Sequence, residues 1–158
     1  SNPELWDQKP EYEVSIEEIL GLIAQIADRN QIDGFTISGG EPMDQADELA
    51  ELVERIKAYS TDVLIYTGYR IEELKSRNEI NANKILNGIA VLIDGEYRED
   101  ENHDVLLRGS ENQRIHILNA EFKGKYDDYL ETAHNQIQNF TTSNGVVSVG
   151  IHKRGFNG

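Results

Sequence analysis

Apolar residues in the first part of the chain alternate between helical spacing and short continuous runs. The helical spacing predicts helices over residues 15–29 and about 45–58, and Ser15 and Glu18 form a capping box at the start of the first. The continuous runs predict buried strands over residues 34–38, 62–67 and 89–93. Such strands, alternating with helices, are typical of an α/β protein with a mainly parallel sheet that is covered on at least one face.

Shorter patterns predict the rest of the chain, which at 158 residues is expected to form a single domain over 1–158. Asn-Gly within Ser143-Asn144-Gly145 favours a tight turn, so the last two strands are predicted to form a C-terminal β-hairpin. The predicted elements are short helices from Ile71 and Ile80, a strand over 114–118, a helix over about 126–133 and strands over 137–142 and 146–151.

Polar residues and glycines lie at the end of each of the first three predicted strands. They are Ser38-Gly39-Gly40-Glu41-Pro42, Thr67-Gly68 and Asp94-Gly95. Right-handed crossovers between parallel strands place all three strand ends at one edge of the sheet. Each pair alone is a common turn signal, but three polar ends at one edge indicate a small-molecule site.

The glycine motif has two interpretations. Two adjacent glycines let a ligand approach the backbone, and the Glu41 carboxylate suits an ammonium group rather than a phosphate. Alternatively, Glu41 is only an acid at the entry to a helix, where a negative charge is favourable in any case. A phosphate-loop function is rejected, because no Gly-Lys-Ser or Gly-Lys-Thr follows.

Composition excludes several functions. The net charge of -14 argues against a nucleic-acid partner, which would require a basic surface. No run approaches the roughly 20 apolar residues of a membrane span and no signal peptide is visible, so we expect a cytoplasmic protein without a membrane partner. The sequence has no cysteine, and its four histidines lack ligand-like spacing, so no metal site is predicted within it.

Five stretches together resemble the radical S-adenosylmethionine (SAM) activating enzymes, especially the group that activates anaerobic ribonucleotide reductase. The resemblance runs from residue 1 to about residue 118 and implies a partial, open β/α barrel. The stretches are Asn2-Pro3-Glu4-Leu5-Trp6-Asp7, Ser38-Gly39-Gly40-Glu41-Pro42, Tyr66-Thr67-Gly68-Tyr69, Leu92-Ile93-Asp94-Gly95, and Leu107-Arg108-Gly109-Ser110 through Asn112-Gln113-Arg114.

The resemblance implies a reaction that these 158 residues cannot perform alone. In that family a three-cysteine loop holds a [4Fe-4S] cluster and precedes Asn-Pro-Glu by one residue, a gap that Ser1 fills here. We therefore expect the cluster cysteines to precede Ser1 and the first barrel strand to be missing, which leaves no catalytic residue in this chain. The intact enzyme would cleave SAM to a 5′-deoxyadenosyl radical and generate a glycyl radical on a partner enzyme. Anaerobic ribonucleoside-triphosphate reductase is the first candidate partner, and flavodoxin or ferredoxin is the expected electron donor.

The resemblance also implies which residues bind SAM. The glycine motif, through Glu41 or the adjacent backbone, would hold the methionine ammonium group. Thr67 and Asp94 would meet the methionine carboxylate, the ribose hydroxyls or the loop that carries them. Arg108 would pair with a carboxylate, and the polar residues after it would contact ribose or adenine. The complete set is Ser38, Gly39, Gly40, Glu41, Thr67, Asp94, Arg108, Ser110, Asn112 and Gln113.

Two other functions stay open. The absence of cysteine is compatible with a degenerate radical SAM fold that has no cluster and binds a nucleoside or a protein. A small-molecule radical SAM enzyme, of the 7-carboxy-7-deazaguanine synthase type, would keep the cluster but form no glycyl radical. The sequence upstream of Ser1 distinguishes the first alternative, and an assay for a glycyl radical on a reductase partner distinguishes the second.

Overall fold

The computed structural model describes residues 15–102, 107–133 and 146–151, with the backbone alone at 133 and 146–151. The helices are α1 (Ile16–Ala27), α2 (Ala46–Ile56), α3 (Ile71–Arg77), α4 (Ile80–Gly88) and α5 (Lys123–Ala133). The strands are β1 (Gly34–Gly39), β2 (Val63–Thr67), β3 (Val91–Asp94), β4 (Arg114–Ile117) and β5 (Val146–Ile151). Short 3-10 turns occupy Pro42–Gln45, Glu99–Glu101 and Ala120–Phe122.

The five strands form one sheet in the order β4-β3-β2-β1-β5. Neighbouring strands from β5 to β3 pair in parallel, and β4 pairs antiparallel with β3. Within the described residues the sheet is open, with β4 and β5 at its two edges. The predicted α/β class with a mainly parallel sheet is confirmed.

The capping box at the start of α1 is confirmed. The Ser15 hydroxyl accepts from the Glu18 amide at 3.1 Å, and the Glu18 carboxylate accepts from the Ser15 amide at 3.1 Å. These two bonds satisfy amides that have no partner inside the helix. The helix then buries Ile19 and Ile23 against the sheet-side core.

Successive strand residues face opposite sides of the sheet and build two apolar clusters. The larger cluster joins alternate residues of β1 and β2, such as Ile37 and Ile65, to the buried faces of α1 to α4. On the other face, Leu64, Val91 and Ile93 lie beneath side chains of α5 and the turn before it. Helices therefore cover both faces of the sheet, although α5 is alone on the second among the described helices.

Helix α5 begins at Lys123, three residues before the predicted start. The side chain of Asn119 accepts from the amide of Glu121 at 3.0 Å, which starts a 3-10 turn that leads directly into the helix. The Lys123 ammonium group also pairs with Asp127 at 2.6 Å, one helical turn later. A start at residue 126 was therefore wrong, because capping by Asn119 fixes the helix entry earlier.

Several sequence predictions fall outside the described residues. They are the Asn2–Asp7 stretch, the strand over 137–142 and the turn over 143–145. The second strand of the predicted hairpin is present as β5, which lies parallel to β1 and places Ser148 beside Thr36 in the register. In the described part of the chain, no helix is both long enough and apolar enough to cross a membrane.

Candidate functional site

The carboxyl ends of β1, β2 and β3 lie side by side, as the sequence predicts. We call residues 38–41, 67–70 and 94–96 the carboxyl edge. Two glycines there have left-handed backbone conformations, with φ of 118° at Gly39 and 110° at Gly95. A side chain at either position would be strained, which explains glycine at these turns. Gly39 and Gly40 are exposed, so a ligand can reach their backbone.

Glu41 joins the ends of β1 and β2 through its carboxylate. Its Oε2 atom accepts from the Met43 amide at 3.0 Å and from the Thr67 hydroxyl at 2.7 Å. Its Oε1 atom accepts from the Gly68 amide at 2.7 Å. The contact with the Met43 amide agrees with the interpretation of Glu41 as an acid at a helix entry. The same carboxylate also holds the carboxyl end of β2 in place. These three donors occupy most of the roughly four acceptor positions of a carboxylate.

Thr67 is positioned by the same contacts. It is 3% exposed, and its hydroxyl donates to Glu41 and accepts from the Tyr69 amide at 3.2 Å. Its hydroxyl is thus occupied within the protein. It stabilises the turn between β2 and α3, a helix that begins three residues after Gly68.

Tyr66 lies next to this edge on the face of the sheet opposite α1 to α4. Its phenol donates a hydrogen bond to the carbonyl of Leu107, a residue whose φ of 66° is left-handed. Burial, with a smaller contribution from Tyr129, raises the pKa of Tyr66 to about 12. The phenol therefore stays protonated at neutral pH and keeps Leu107 near the sheet. On the same face Thr36 and Ser38 of β1 are half-buried and polar.

Asp94 is fully buried at the end of β3, and its carboxylate accepts from three residues in two segments. The Ile71 amide donates to Oδ2 at 2.8 Å, and Arg70 Nη1 donates to Oδ1 at 3.2 Å. Arg114 donates to both oxygens, from Nε at 3.2 Å and from Nη2 at 2.7 Å. The carboxylate thus holds the start of α3 and the start of β4 against the end of β3.

The contacts around Asp94 lower its pKa by more than its burial raises it. Burial alone would raise the pKa of this carboxyl. Hydrogen bonds from Arg114 and the Ile71 amide, and the nearby His116, instead lower the pKa of Asp94 to about 2. The Nε2 atom of His116 lies 3.1 Å from Oδ2 of Asp94. Asp94 is therefore a charged structural group at neutral pH.

The polar loop over 107–113 folds against the segment that follows β3. Gln113, 6% exposed, donates from Nε2 to the Gly95 carbonyl at 2.8 Å and accepts from the Gly109 amide at 2.6 Å. Ser110 is fully buried, and its hydroxyl accepts from the Arg98 amide at 3.0 Å. Asn112 donates to the Glu96 carbonyl at 2.6 Å. Three of the predicted ligand-binding side chains therefore fix one loop to another.

Arg108 is only partly satisfied. One of its terminal nitrogens donates to the carbonyls of Glu111 and Gln113, at 3.1 and 3.2 Å. Its Nε atom is buried and has no hydrogen-bond partner. The guanidinium of Arg108 therefore keeps donors that these two carbonyls do not use, and a ligand carboxylate could accept from them.

The predicted site residues separate into two groups. Ser38, Gly39 and Gly40 present accessible polar backbone or side-chain atoms at the carboxyl edge. The others form hydrogen bonds within the protein, and Thr67, Asp94, Ser110 and Gln113 are also buried; Glu41, Arg108 and Asn112 are half-buried. Among the described residues, no group of three or more His, Cys, Asp or Glu side chains is placed to hold a metal ion.

Arg70 and Arg114, which contact Asp94, were not predicted as site residues. Arg114 belongs to one of the five stretches that carry the resemblance, and Arg70 directly follows another. This position near a strand end was the sequence feature that could have indicated a role at the site. A buried carboxylate at the end of β3 requires a nearby cation. That requirement could have identified them only once the burial of Asp94 was known.

Comparison of the sequence with known families defines the class of this protein. The sequence model of a family described as a 4Fe-4S single cluster domain matches residues 1–116, so the chain belongs to that family. The resemblance to the activating enzymes predicted from the motifs is confirmed. The family description implies an iron–sulfur cluster, whereas the 158 residues contain no cysteine to ligate one.

Two relatives have the same name, anaerobic ribonucleoside-triphosphate reductase-activating protein. The one from Salmonella typhi is 35% identical over 103 residues, covering 61% of this chain and 64% of the relative. The one from Enterobacteria phage T4 is 32% identical over 97 residues, covering 59% of this chain and 58% of the relative. The chain thus spans about three fifths of the length of these relatives. No solved structure gives a significant match to it.

Proposed function

We propose that this chain is the SAM-binding part of a radical SAM activase whose partner is an anaerobic ribonucleoside-triphosphate reductase. The observation that carries the proposal is the accessible Ser38–Gly40 backbone at an edge where three parallel strands end. The names of the two relatives support the choice of partner. The intact protein is then a partial, open β/α barrel, completed by residues outside the described sheet.

The residues at this edge fit the methionine portion of SAM. An ammonium group requires acceptors, and the Ser38–Gly40 segment offers backbone carbonyls that no side chain at positions 39 and 40 covers. Glu41 adds negative charge beside them, while its hydrogen bonds keep the segment in place. Arg108 is the candidate partner of the methionine carboxylate, since its guanidinium is only half-buried and the Glu111 and Gln113 carbonyls engage just one of its terminal nitrogens. When bound, SAM supplies the 5′-deoxyadenosyl group that carries the radical chemistry.

The cluster does not fit the residues of this chain. Three thiolates are expected to hold it, and none of the 158 residues is a cysteine. We therefore assign no residue here to the iron and derive no step through it. The cysteines are proposed to lie before Ser1 in the intact protein, and a flavodoxin or ferredoxin is the proposed electron donor.

The proposal is tested with the full-length protein under anaerobic conditions. After reconstitution with iron and sulfide, the protein is given SAM and a reductant, and 5′-deoxyadenosine is measured by chromatography. An anaerobic ribonucleotide reductase is then added, and the glycyl radical is measured by electron paramagnetic resonance. We expect both products, and the radical should depend on SAM and on the activase.

Other results would overturn the proposal in distinguishable ways. SAM binding without 5′-deoxyadenosine would identify a binding module that has no cluster chemistry. Formation of 5′-deoxyadenosine without any glycyl radical on the reductase would identify a small-molecule radical SAM enzyme. A protein that neither binds nor cleaves SAM would remove the function assigned to the carboxyl edge.

A further inference from the structure

Arg70 occupies a fixed place between the second and third strands of the carboxyl edge. It directly precedes α3, and its backbone amide donates to the Glu73 carboxylate at 2.9 Å. This contact satisfies one of the amides left free at the start of the helix. The guanidinium therefore extends from a backbone whose position the helix start defines.

The guanidinium of Arg70 contacts two segments that come much later in the chain. Its Nη1 atom donates to the Asp94 carboxylate at 3.2 Å and lies 3.4 Å from the Asp94 carbonyl oxygen. Its Nη2 atom donates to the Asn112 carbonyl at 2.9 Å. Because one rigid planar group makes these contacts, the positions of the β3 end and of the 107–113 loop depend on each other.

The turn after β3 is shaped around the same guanidinium. A Cβ atom at Gly95 would lie 2.7 Å from Arg70 Nη1, so a side chain there would displace the guanidinium, and the φ of 110° would strain it in any case. The Gly95 amide donates to the Tyr69 carbonyl at 3.2 Å, and the Gly95 carbonyl accepts from Gln113 at 2.8 Å. Residues on both sides of Gly95 are thus held by the Tyr69-Arg70 segment and by the 107–113 loop.

We propose that Arg70 is a positioning residue for the carboxyl edge, where it sets the geometry of the turn after β3 and of the 107–113 loop for SAM binding. The inference rests on the function proposed above. Arg70 itself acts through Asp94, Gly95 and Asn112. Lysine at this position keeps the positive charge but has no planar fork, so it cannot reach both acceptors in the same way.

The test compares SAM affinity with turnover in the full-length, cluster-containing protein. We expect Arg70→Gln to raise the KM for SAM about tenfold, which corresponds to roughly 1.4 kcal/mol, with kcat at saturating SAM within about twofold of the wild type. The Kd of S-adenosylhomocysteine, measured by calorimetry, should rise by a similar factor. Arg70→Lys should give values between those of Arg70→Gln and the wild type.

The matched control is Arg55→Gln. Arg55 is likewise an arginine in an ion pair, but it is exposed on α2, outside the carboxyl edge, and pairs with Glu17 and Glu51. This variant should keep the KM and the Kd of the wild type. It therefore separates a local effect of Arg70 from the general effect of removing a paired positive charge.

The possible failures are distinguishable. A fall in kcat with unchanged KM and Kd would mean that Arg70→Gln only lowers the fraction of folded protein, and the inference would be overturned. Wild-type affinity in both Arg70 variants would overturn it as well. If Arg70→Gln does not fold, an unchanged Kd in Arg70→Lys decides against the inference. If the wild type itself binds neither SAM nor S-adenosylhomocysteine, the proposed function fails, and this inference with it.

Discussion

Glu41 illustrates how one side chain can complete a turn and align two strands. It lies between the exposed glycines and the 3-10 turn that begins at Pro42. Its carboxylate accepts from a residue of its own turn, Met43, and from Thr67 and Gly68 at the neighbouring strand end. A glutamine has only one acceptor oxygen, so it cannot accept from both backbone amides.

We therefore expect Glu41→Gln to lower the free energy of unfolding by about 1 kcal/mol, because one amide loses its acceptor. The same substitution should weaken SAM binding, since it loosens the segment proposed to hold the ammonium group. Urea denaturation measures the first effect and calorimetry with the full-length protein measures the second. Glu54→Gln is the control, because Glu54 is largely exposed on α2 and should change stability by less than about 0.5 kcal/mol. Unchanged SAM affinity in Glu41→Gln would contradict the role in binding.

Single residues also show why the site was only partly predictable. Polar residues at strand ends, such as Asp94, were correctly placed at one edge because parallel pairing requires it. The side chains of Ser110 and Gln113 can form hydrogen bonds to a ribose or, equally well, to a neighbouring loop. Only the path of the 107–113 loop, which folds back onto Gly95 and Arg98, shows that they bond within the protein. That path depends on long-range contacts, which local sequence does not encode.

At the scale of elements, helix α5 depends on a contact at the opposite end of β2. Asp62, 5% exposed, accepts from the Tyr126 phenol at 2.6 Å and pairs with the Lys125 ammonium group. Burial, followed by the hydrogen bond to Asp62, raises the pKa of the Tyr126 phenol, so it remains a donor. The helix itself could be predicted from its sequence. Its contact with Asp62 could not be predicted, because strands β2, β3 and β4 lie between residues 62 and 126 in the chain.

Removing this hydroxyl should weaken the attachment of α5. We expect Tyr126→Phe to lower the free energy of unfolding by about 1–2 kcal/mol, because a buried carboxylate oxygen loses its donor. Lys123→Ala, on the same helix, removes only the exposed pair with Asp127 and should cost less than about 0.5 kcal/mol. Urea denaturation of both variants makes the comparison. Equal losses would show that the Asp62 contact contributes no more than a surface ion pair.

The strands were the elements that the sequence predicted best. Continuous apolar runs identify β2 and β3 because both faces of these strands are covered, as the buried Leu64, Ile65 and Ile93 show. In β1, Phe35 and Ile37 bury one face. The direction of β4 was less accessible to prediction. It follows the 107–113 loop and lies antiparallel to β3, where Arg114 is opposite Asp94. That register places Arg114 where it can pair with the buried carboxylate.

At the scale of the whole molecule, Asp94 connects segments that are distant in the chain. Its carboxylate joins α3, β3 and β4 through Ile71, Arg70 and Arg114. Since the pKa of Asp94 falls to about 2 in the folded protein, folding favours its charged form. The resulting stability is fully present above the pKa of the unfolded chain, near 4, and is lost as the pH falls toward about 2.

This dependence can be isolated by comparison with Asp94→Asn. The other carboxyl groups titrate in both proteins, so the difference between their free energies of unfolding reports mainly on Asp94. We expect the wild type to be the more stable protein at neutral pH. The charge of Asp94 accounts for roughly 2 kcal/mol of the free energy of unfolding, and about 1 kcal/mol of it should be lost between pH 6 and pH 3. Urea denaturation at a series of pH values measures it. A difference that stays constant down to pH 3 would mean that the arginines contact Asp94 without favouring its charged form. The buried carboxylate would then hold α3 and β4 through hydrogen bonds alone.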